Sequence, residues 1–365
     1  MVVAVPTAAH DFSLRLATRL SRRGSLCNLS AAPCRVVARW CWLALAAATA
    51  AVAAARPGSA RHSGRAAGAA GAGPLAAAAH WAAKPTIDVN AFVQHNLALY
   101  ADAVRQRTDR VRALYGGDLD AVVPWNGDAA GETYLWDFFP PAFNCPFRER
   151  LGCLSDGGKV VCNWQVLAAR CAAGSDAAAV YSLGVRGDVS FEADLANRTG
   201  CAVHAFGFHT VDSLPAPVAG VRFNRVGLAP ADMPPALLSL PTMMAARGHD
   251  RVHLLKVDCE DCEWAVFGEL ARGGALARVD QVLIELHFRQ PATNLAVPDS
   301  GVRQVFNFFE DMEAAGLLAF SWEVNHNAGA AGAMPWVIEY SFVCPDSAFM
   351  RDMDAWQVLS RGGRR

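Results

Sequence analysis

Acidic residues cluster at the end of one apolar run, and their types are those that transfer protons or hold polar groups of a ligand. Asp258 follows the apolar residues 254–257, and Lys256 stands two positions before it, so both side chains share one face of a predicted strand. A carboxylate there could hold polar cofactor atoms, accept a proton or bind a divalent metal. Glu260 follows closely, whereas Glu263 is expected to stabilise the amino terminus of the next helix.

Two further titratable residues end the next apolar run along the chain. Glu285 and His287 are two positions apart, so they share a face and either could act as a base; a hydrogen-bonded histidine with a structural role is the alternative. Cys259 and Cys262 form a Cys-x-x-Cys pair, but no second pair at ligand spacing accompanies them. We therefore predict no metal site, and the candidate catalytic residues are Asp258, Glu260, Glu285 and His287.

Glycines follow a third apolar run, residues 180–183, and precede a helical pattern. At Ser182, Gly184 and Gly187 the backbone could approach a ligand closely, and the helix start offers free N–H groups. A purely structural turn is the alternative interpretation. The third glycine of the dinucleotide fingerprint is missing, which disfavours a nicotinamide-dependent oxidoreductase.

The elements that must position these residues alternate between strand and helix patterns. This alternation predicts an α/β fold with a doubly wound, mostly parallel, Rossmann-like sheet. Ligands of such sheets bind at the carboxyl ends of the strands, so the three groups of residues are expected to meet at one edge. The strand candidates are 180–183, 202–206, 221–226, 252–257, 281–286, 317–324 and 336–343, and the helix candidates are 190–197, 235–247, 263–271 and 302–315.

Composition divides the chain into four predicted segments. Residues 1–87 hold ten basic residues and one acidic residue, so they carry +9 and the rest of the chain carries −10. We predict an Ala/Arg-rich leader with a flexible linker over 1–87, a helical extension over 88–144, a main domain over 145–347 and a carboxyl-terminal tail over 348–365. An acidic body without a basic stripe argues against nucleic acid as a partner.

The leader contains an apolar segment, residues 36–55, that follows several arginines. Its length and the preceding positive charge predict a signal anchor or secretory signal that places the body in the lumen, membrane-anchored if uncleaved or otherwise secreted. The alternative is a cleaved transit peptide for a plastid or mitochondrion, which is also Arg-rich and poor in acids. The eight cysteines outside the leader permit either disulfides or buried thiols.

Four motifs in this order resemble the methyltransferase-like protein twenty-four family, a group of class I S-adenosylmethionine-dependent methyltransferases. They also resemble the broader FkbM-type O-methyltransferases. The resemblance covers about residues 145–345, and its motifs are Asp156-Gly-Gly-Lys159 with Cys162, Tyr181–Glu192, Leu255–Glu260 with Glu263-Trp264, and Ile284–His287.

The resemblance implies a seven-stranded sheet, S-adenosylmethionine as the cofactor, and an acceptor oxygen on a small molecule, sugar or glycan. It implies that the methionine portion of the cofactor lies near the glycine turn, that the end of the second strand lies against ribose and adenine, and that Asp258 closes the pocket. The implied cofactor-binding residues are Tyr181, Ser182, Gly184, Gly187, Asp188, Phe206, Gly207 and Asp258.

Two positions depart from the pattern of these relatives. One is Asp261, at a position where a glycine usually follows the glutamate in these relatives. At the other, the relatives usually carry an aspartate after the phenylalanine of the second strand, suited to ribose hydroxyls, where this chain has Gly207 after Phe206. The candidates to take over that role are His209, Asp212 and Asp188. The departure at Gly207 motivates a second hypothesis, a catalytically degenerate binding or scaffold protein on the same fold. Neither the oligomeric state nor the identity of the acceptor follows from the sequence.

Overall fold

The computed structural model describes residues 88–122, 134–154, 156–207, 217–260, 262–288, 301–325, 330–331 and 334–352. They all belong to one compact unit, Ala79–Arg365. The helices are α1 Val89–Tyr115, α2 Gln165–Cys171, α3 Ser190–Thr199, α4 Leu240–Ala245, α5 Cys262–Arg272, α6 Gly301–Ala314 and α7 Ala348–Arg351. The strands are β1 Arg148–Leu151, β2 Lys159–Cys162, β3 Val180–Leu183, β4 Val203–Phe206, β5 Val221–Asn224, β6 Gly227–Leu228, β7 Leu237–Leu238, β8 Leu254–Val257, β9 Gln281–His287, β10 Leu318–Val324, β11 Ala330–Ala331, β12 Met334–Pro335 and β13 Val337–Val343.

Seven strands form the central sheet in the order β10-β13-β9-β8-β3-β4-β5. The five strands from β9 to β5 run parallel, whereas β13 is antiparallel to both β9 and β10. The doubly wound, mostly parallel, seven-stranded sheet expected from the sequence and from its family resemblance is therefore confirmed. The strand order reverses between β3 and β8, and a crevice opens at the carboxyl ends of strands that diverge in this way.

The central strands are continuous apolar runs because helices cover both faces of the sheet. Every residue of β3, β4, β8 and β9 is buried. The apolar side of α6 supplies Phe306, Phe308 and Phe309, and the Phe309 ring stacks on Phe139 with centroids 4.0 Å apart. This dense core fixes the strand ends that carry the polar residues.

The helical extension predicted over 88–144 begins with one long helix. Asp88 caps α1 by accepting a hydrogen bond from the Ala91 amide, and α1 ends at Gly116 in the left-handed region. Arg107 in α1 forms a two-bond ion pair with Glu313 in α6, with N···O distances of 2.9 and 2.7 Å. The extension is thus joined to the main domain by charge as well as by apolar contacts.

The predicted helix 235–247 is wrong in its first half. Residues Leu237–Leu238 form the short strand β7, and the helix α4 starts only at Leu240. Ser239 provides the start, since its side chain accepts a hydrogen bond from the Thr242 amide and a proline follows in the first turn. The helix therefore begins after its capping residue, Ser239, and the apolar residues before Ser239 lie in an extended segment.

In the part of the chain that the structure describes, no helix is both long and apolar enough to cross a membrane. The predicted anchor, residues 36–55, falls outside the described residues.

Candidate active site at the carboxyl edge of the sheet

The ends of β3 and β8 meet at the strand-order reversal. These strands pair in parallel with Leu183 opposite Val257, and the Asp258 amide donates a 3.0 Å hydrogen bond to the Leu183 carbonyl. Gly184 has φ +84°, and a Cβ built on it would lie 1.6 Å from the Asp258 carbonyl oxygen. Only glycine fits this approach, so two residues selected from separate motifs lie side by side.

The turn after Gly184 is open on one side. Gly187 is exposed, and a Cβ built on it would meet no atom within 4 Å. Asp188 accepts a 2.7 Å hydrogen bond from the Ser190 amide at the start of α3. Burial acts to raise the pKa of Asp188, but the hydrogen bonds from Ser190 and Cys153 hold it below its usual range. The Asp188 carboxylate is therefore engaged in forming the turn.

Below the turn, Ser182 and Lys256 lie opposite each other on adjacent strands and both contact Glu192 of α3. The Ser182 hydroxyl donates to Glu192 Oε1 at 2.5 Å, and Lys256 Nζ lies 3.6 Å from the same oxygen. All three side chains are buried. The Ser182 side chain thus holds α3 against the sheet, and it lies beneath the crevice, where it stabilises the fold. Glu192 was missed as a partner, because the sequence does not show which strand its helix covers.

Tyr181 and Phe206 use their side chains inside the core. Both are fully buried, with the Tyr181 hydroxyl 2.8 Å from His249 Nδ1 and the Arg247 guanidinium 4.7 Å above the Phe206 ring. Gly207 is buried at the end of β4, where its amide donates to the Asn224 carbonyl at 3.1 Å. Residues 208–216, which follow it, lie outside the described part of the chain.

His287 ends β9 with its ring held in one orientation. Its Nδ1 lies 2.8 Å from Glu263 Oε1, and neither side chain is more than 4% exposed. Its Nε2 faces Glu260 Oε2 at 3.6 Å and Glu285 Oε1 at 3.8 Å. Burial would lower the pKa of His287, but the hydrogen bond and charge of Glu263, followed by the charges of Glu285 and Asp258, raise it to about 9. Glu263 therefore orients the histidine in addition to its predicted place at the helix start.

Glu260 occupies a strained turn beside this histidine. It has φ +58°, a left-handed conformation that non-glycine residues seldom adopt. Cys259 and Cys262 flank it and form a disulfide, so the Cys-x-x-Cys pair closes the loop that carries Glu260. Arg186 contacts the exposed side of the Glu260 carboxylate at 2.7 Å.

Glu285 takes part in a neighbouring buried group that the sequence did not reveal. Lys159 Nζ lies 3.5 Å from Glu285 Oε2 and also contacts Glu339, which is paired with Glu285 across β9 and β13. Asn325 donates to Glu285 Oε1 at 2.9 Å. Burial raises the pKa of Glu285 and of Glu339, with Asp258 adding to the rise at Glu285, and Lys159 opposes the change. Lys159 was quoted only as part of a motif, and no local signal linked it to residues more than 100 positions away.

Comparisons with known proteins agree with this architecture. A protein family described as "Methyltransferase domain" matches residues 95–338, two thirds of the chain. The chain belongs to this family. The resemblance to methyltransferase-like protein twenty-four is thereby confirmed, and two curated proteins, both called "Probable methyltransferase-like protein 24", support it. The one from Homo sapiens is 27% identical over 150 residues, and the one from Rattus norvegicus is 26% identical over 145 residues.

These relatives match only part of this chain. Each alignment covers 37% of this chain, and the chain spans about two fifths of the length of the curated relatives, 39% and 40%. The matched parts therefore support membership in the family, while the activity of the whole protein is a separate question.

Solved structures of methyltransferases are similar at a low level. A TehB-like SAM-dependent methyltransferase from Corynebacterium glutamicum is 12% identical with a TM-score of 0.28, covering 50% of this chain and 87% of that one. Fibrillarin from Aeropyrum pernix, in complex with natively bound S-adenosyl-L-methionine, is 12% identical with a TM-score of 0.28. The match covers 55% of this chain and 84% of that one. TM-scores this low support no argument, so the fold assignment rests on the strand order and on the family.

Within this methyltransferase domain, Asp258 stands out among the candidate residues by its availability. Among the described residues, its carboxylate has no hydrogen bond and no ion pair. One ligand atom from each of Asp258, Glu260 and His287 lies within 4.8 Å of the others. The edge of the sheet thus presents a half-exposed carboxylate, a strained glutamate and an oriented histidine to the crevice.

Proposed function

We propose that this chain is an S-adenosylmethionine-dependent methyltransferase that methylates an oxygen of a small molecule, sugar or glycan. The observation that supports it is the contact of Gly184 with the Asp258 carbonyl at the strand-order reversal. In open α/β sheets, ligands bind at the point where the strand order reverses. In this protein that point has the glycine turn on one side and the free carboxylate of Asp258 on the other. Membership in the methyltransferase domain family supports the reaction type.

The described residues fit the amino-acid half of the cofactor. Gly187 leaves open space where a side chain would otherwise stand, and the backbone of the turn can approach a ligand there. The Asp258 carboxylate, without a partner among the described residues, suits an ammonium or hydroxyl group. When bound, the cofactor would supply an electrophilic methyl group, and the protein would align the acceptor oxygen with it.

The acceptor hydroxyl must also lose a proton during transfer. Asp258 is the acceptor best suited to it, because Glu285 is engaged by Lys159 and Asn325 and Glu260 is paired with Arg186. While no cation is bound, His287, with a pKa raised to about 9, is protonated at neutral pH and can donate a hydrogen bond through Nε2. A carboxylate within hydrogen-bond reach of the acceptor is the geometric requirement for this step.

The second candidate is a binding or scaffold protein without catalysis. Gly207 motivates it, because no carboxylate stands at the end of β4 among the described residues there, and Asp188 is engaged with Ser190. A scaffold protein would keep the fold but would lack the carboxylate that binds the ribose hydroxyls of the cofactor.

Calorimetry of the full-length chain with S-adenosylmethionine separates the two candidates. We expect a stoichiometric heat with micromolar affinity, and S-adenosylhomocysteine should compete for the same site. No heat at millimolar ligand would contradict the enzyme and favour the scaffold.

We also propose that the body works in an oxidising compartment, membrane-anchored or secreted. Three cysteine pairs support it: Cys145–Cys162, Cys171–Cys201 and Cys259–Cys262 are bonded. Such pairs persist in the secretory pathway and are rare in reducing compartments. Mass spectrometry of the native protein tests this proposal. Three intact disulfides are expected, whereas free thiols at these positions, or an amino terminus typical of an organellar import signal, would contradict it.

A further inference from the structure

We propose that Asp258, Glu260 and His287 bind a divalent metal ion at the carboxyl edge of the sheet. The cation site needs only these side chains and their supports, so it does not depend on methyl transfer. Its role in catalysis, described below, does rest on the proposed function.

The three ligand atoms already lie close to the geometry that one ion requires. They fall within 4.8 Å of one another. Metal–oxygen and metal–nitrogen bonds of about 2.0–2.2 Å place opposite ligands at most about 4.4 Å apart, so shifts of a few tenths of an ångström suffice. The residues come from two adjacent strand ends, and the rigid sheet fixes Asp258 against His287.

The histidine is oriented in the way that metal ligands are. Glu263, which is fully buried, accepts from Nδ1 and thereby leaves Nε2 directed at the carboxylates of Glu260 and Glu285. A carboxylate behind a histidine fixes the ring and raises the basicity of the ligating nitrogen. The His287 side chain is only 4% exposed, and its Nε2 faces the carboxylates of Glu260 and Glu285 at 3.6 and 3.8 Å, beyond hydrogen-bond distance. An ion bound among these groups would take the place of the proton on Nε2.

Local charge favours a cation at this point. Asp258, Glu260, Glu263 and Glu285 surround the single imidazole, and Asp258 forms no ion pair with a lysine or arginine within the described residues, although its charge acts on Lys159 and His287. Arg186 pairs with Oε1 of Glu260, whereas Oε2 of the same carboxylate faces His287. A divalent ion would offset the excess of negative charge and relieve the repulsion between neighbouring carboxylates.

A second group of carboxylates nearby shows the contrast. Asp156, Glu285 and Glu339 also lie within 4.8 Å of one another, but the ammonium of Lys159 contacts both glutamates. A buried lysine supplies the positive charge there. The group of Asp258 has no such lysine among its described contacts, so the ion is assigned to that group alone.

The donor set selects the kind of metal. Two carboxylates and one imidazole leave other positions to water or substrate, which suits an octahedral ion such as Mn²⁺ or Mg²⁺. Thiolate ligation is not available from Cys259 and Cys262, because they are bonded to each other. In the proposed methyltransferase, such an ion would bind the acceptor hydroxyl and lower its pKa, and the proton would pass to a carboxylate oxygen of Asp258 or Glu260 that does not bind the ion.

The test is Mn²⁺ binding to the full-length chain after removal of metals with EDTA, without S-adenosylmethionine. We expect one Mn²⁺ per chain by electron paramagnetic resonance and a ¹⁴N coupling from the His287 ring. Asp258→Asn and His287→Ala should each weaken binding at least about tenfold, and His287→Ala should abolish the nitrogen coupling. Glu263→Gln should weaken binding while retaining the coupling.

Glu269→Gln is the matched control for Glu263→Gln, because both residues lie in α5. Glu269 is exposed and pairs only with Arg272 among the described residues. This control variant should bind Mn²⁺ as the unmodified chain does. Circular dichroism establishes that each variant is folded. Absence of binding at millimolar Mn²⁺, or equal affinity in folded Asp258→Asn and His287→Ala, would overturn the proposal.

Calorimetry with S-adenosylmethionine in EDTA separates this proposal from the proposed function. Cofactor heat without Mn²⁺ binding would overturn the cation site alone. Mn²⁺ binding without cofactor heat would retain the site and overturn methyl transfer.

Discussion

Gly184 and Asp258 are in backbone contact: a Cβ added to the glycine would overlap the Asp258 carbonyl oxygen at 1.6 Å. This contact joins the first strand of the sheet to the strand that carries the free carboxylate. It also means that Gly184 is required by the fold before any ligand binds.

We therefore predict that Gly184→Ala destabilises the protein by at least about 2 kcal/mol, because the new Cβ meets backbone and φ is +84°. Urea unfolding followed by circular dichroism measures the change. Gly187→Ala is the control and should change stability by less than about 0.5 kcal/mol, since its Cβ meets open space. Equal stability of the Gly184→Ala variant and the unmodified chain would mean that the strand ends do not approach as described.

Gly187 tests the crevice without disturbing the fold. Gly187→Val places its side chain in space that no protein atom occupies within 4 Å of the Cβ, so stability should change little. If the cofactor lies over this turn, its affinity should fall at least about tenfold, or 1.4 kcal/mol. Calorimetry with S-adenosylmethionine measures it, and Ala173→Val, at an exposed site before β3 on the opposite edge of the sheet, is the control. Unchanged affinity in Gly187→Val would exclude this turn as part of the pocket.

Much of the fold could be predicted from the sequence, because buried parallel strands read as continuous apolar runs. The predicted strand at Val180–Leu183 has the bounds that the structure gives, and the strand ending at His287 was one residue short. The number of strands came from the family resemblance, whereas their order is seen only in the structure, since local patterns do not show which strands are neighbours.

Less of the candidate site could be predicted, because its geometry depends on residues distant in sequence. Asp258, Glu260 and His287 were found from their positions at strand ends. The lysine that occupies the neighbouring carboxylate group stands 180 positions from Glu339, and only the tertiary fold reveals that pairing. Ser182 and Tyr181 were selected within a motif, but their side chains contact Glu192 and His249 inside the protein.

The disulfide Cys259–Cys262 should hold Glu260 in place. We predict that the double variant Cys259→Ser with Cys262→Ser is less stable by about 2 kcal/mol, the loop-closure value for so short a loop. It should also bind Mn²⁺ more weakly, because Glu260 can then leave its left-handed conformation. Chemical denaturation and Mn²⁺ titration measure the two effects. Cys344→Ser, at a free cysteine, is the control, and a double variant with unchanged Mn²⁺ affinity would show that the disulfide does not position Glu260.

Stability should fall as the pH is lowered from about 6.5 towards 4, in part through His204. Burial, followed by the charge of Arg247, lowers the pKa of His204 from 6.5 to about 4. In this window the unfolded chain binds a proton that the folded chain does not, so protonation favours unfolding; above pH 6.5 both states are neutral and the contribution is complete. We expect a loss of about 1–3 kcal/mol between pH 7 and 4.5 that is reduced in His204→Asn. Urea unfolding at the two pH values measures it, and an equal pH dependence in both proteins would contradict the assignment.

Lys159 should decide where the carboxyl edge can bind a cation. Removing its ammonium in Lys159→Met leaves Glu285 and Glu339 buried without their positive partner, which should destabilise the protein by about 3–5 kcal/mol. The group that these glutamates form with Asp156 should then bind Mn²⁺, giving two ions per chain in place of one. At a Mn²⁺ concentration 100 times the dissociation constant, the new site should restore about 2.7 kcal/mol. Electron paramagnetic resonance counts the ions and thermal unfolding measures the recovery. If the folded variant still bound a single ion, the lysine would not be what keeps a second ion out of the group of Asp156, Glu285 and Glu339. The charge of Lys159 would then not explain why only the group of Asp258 binds an ion.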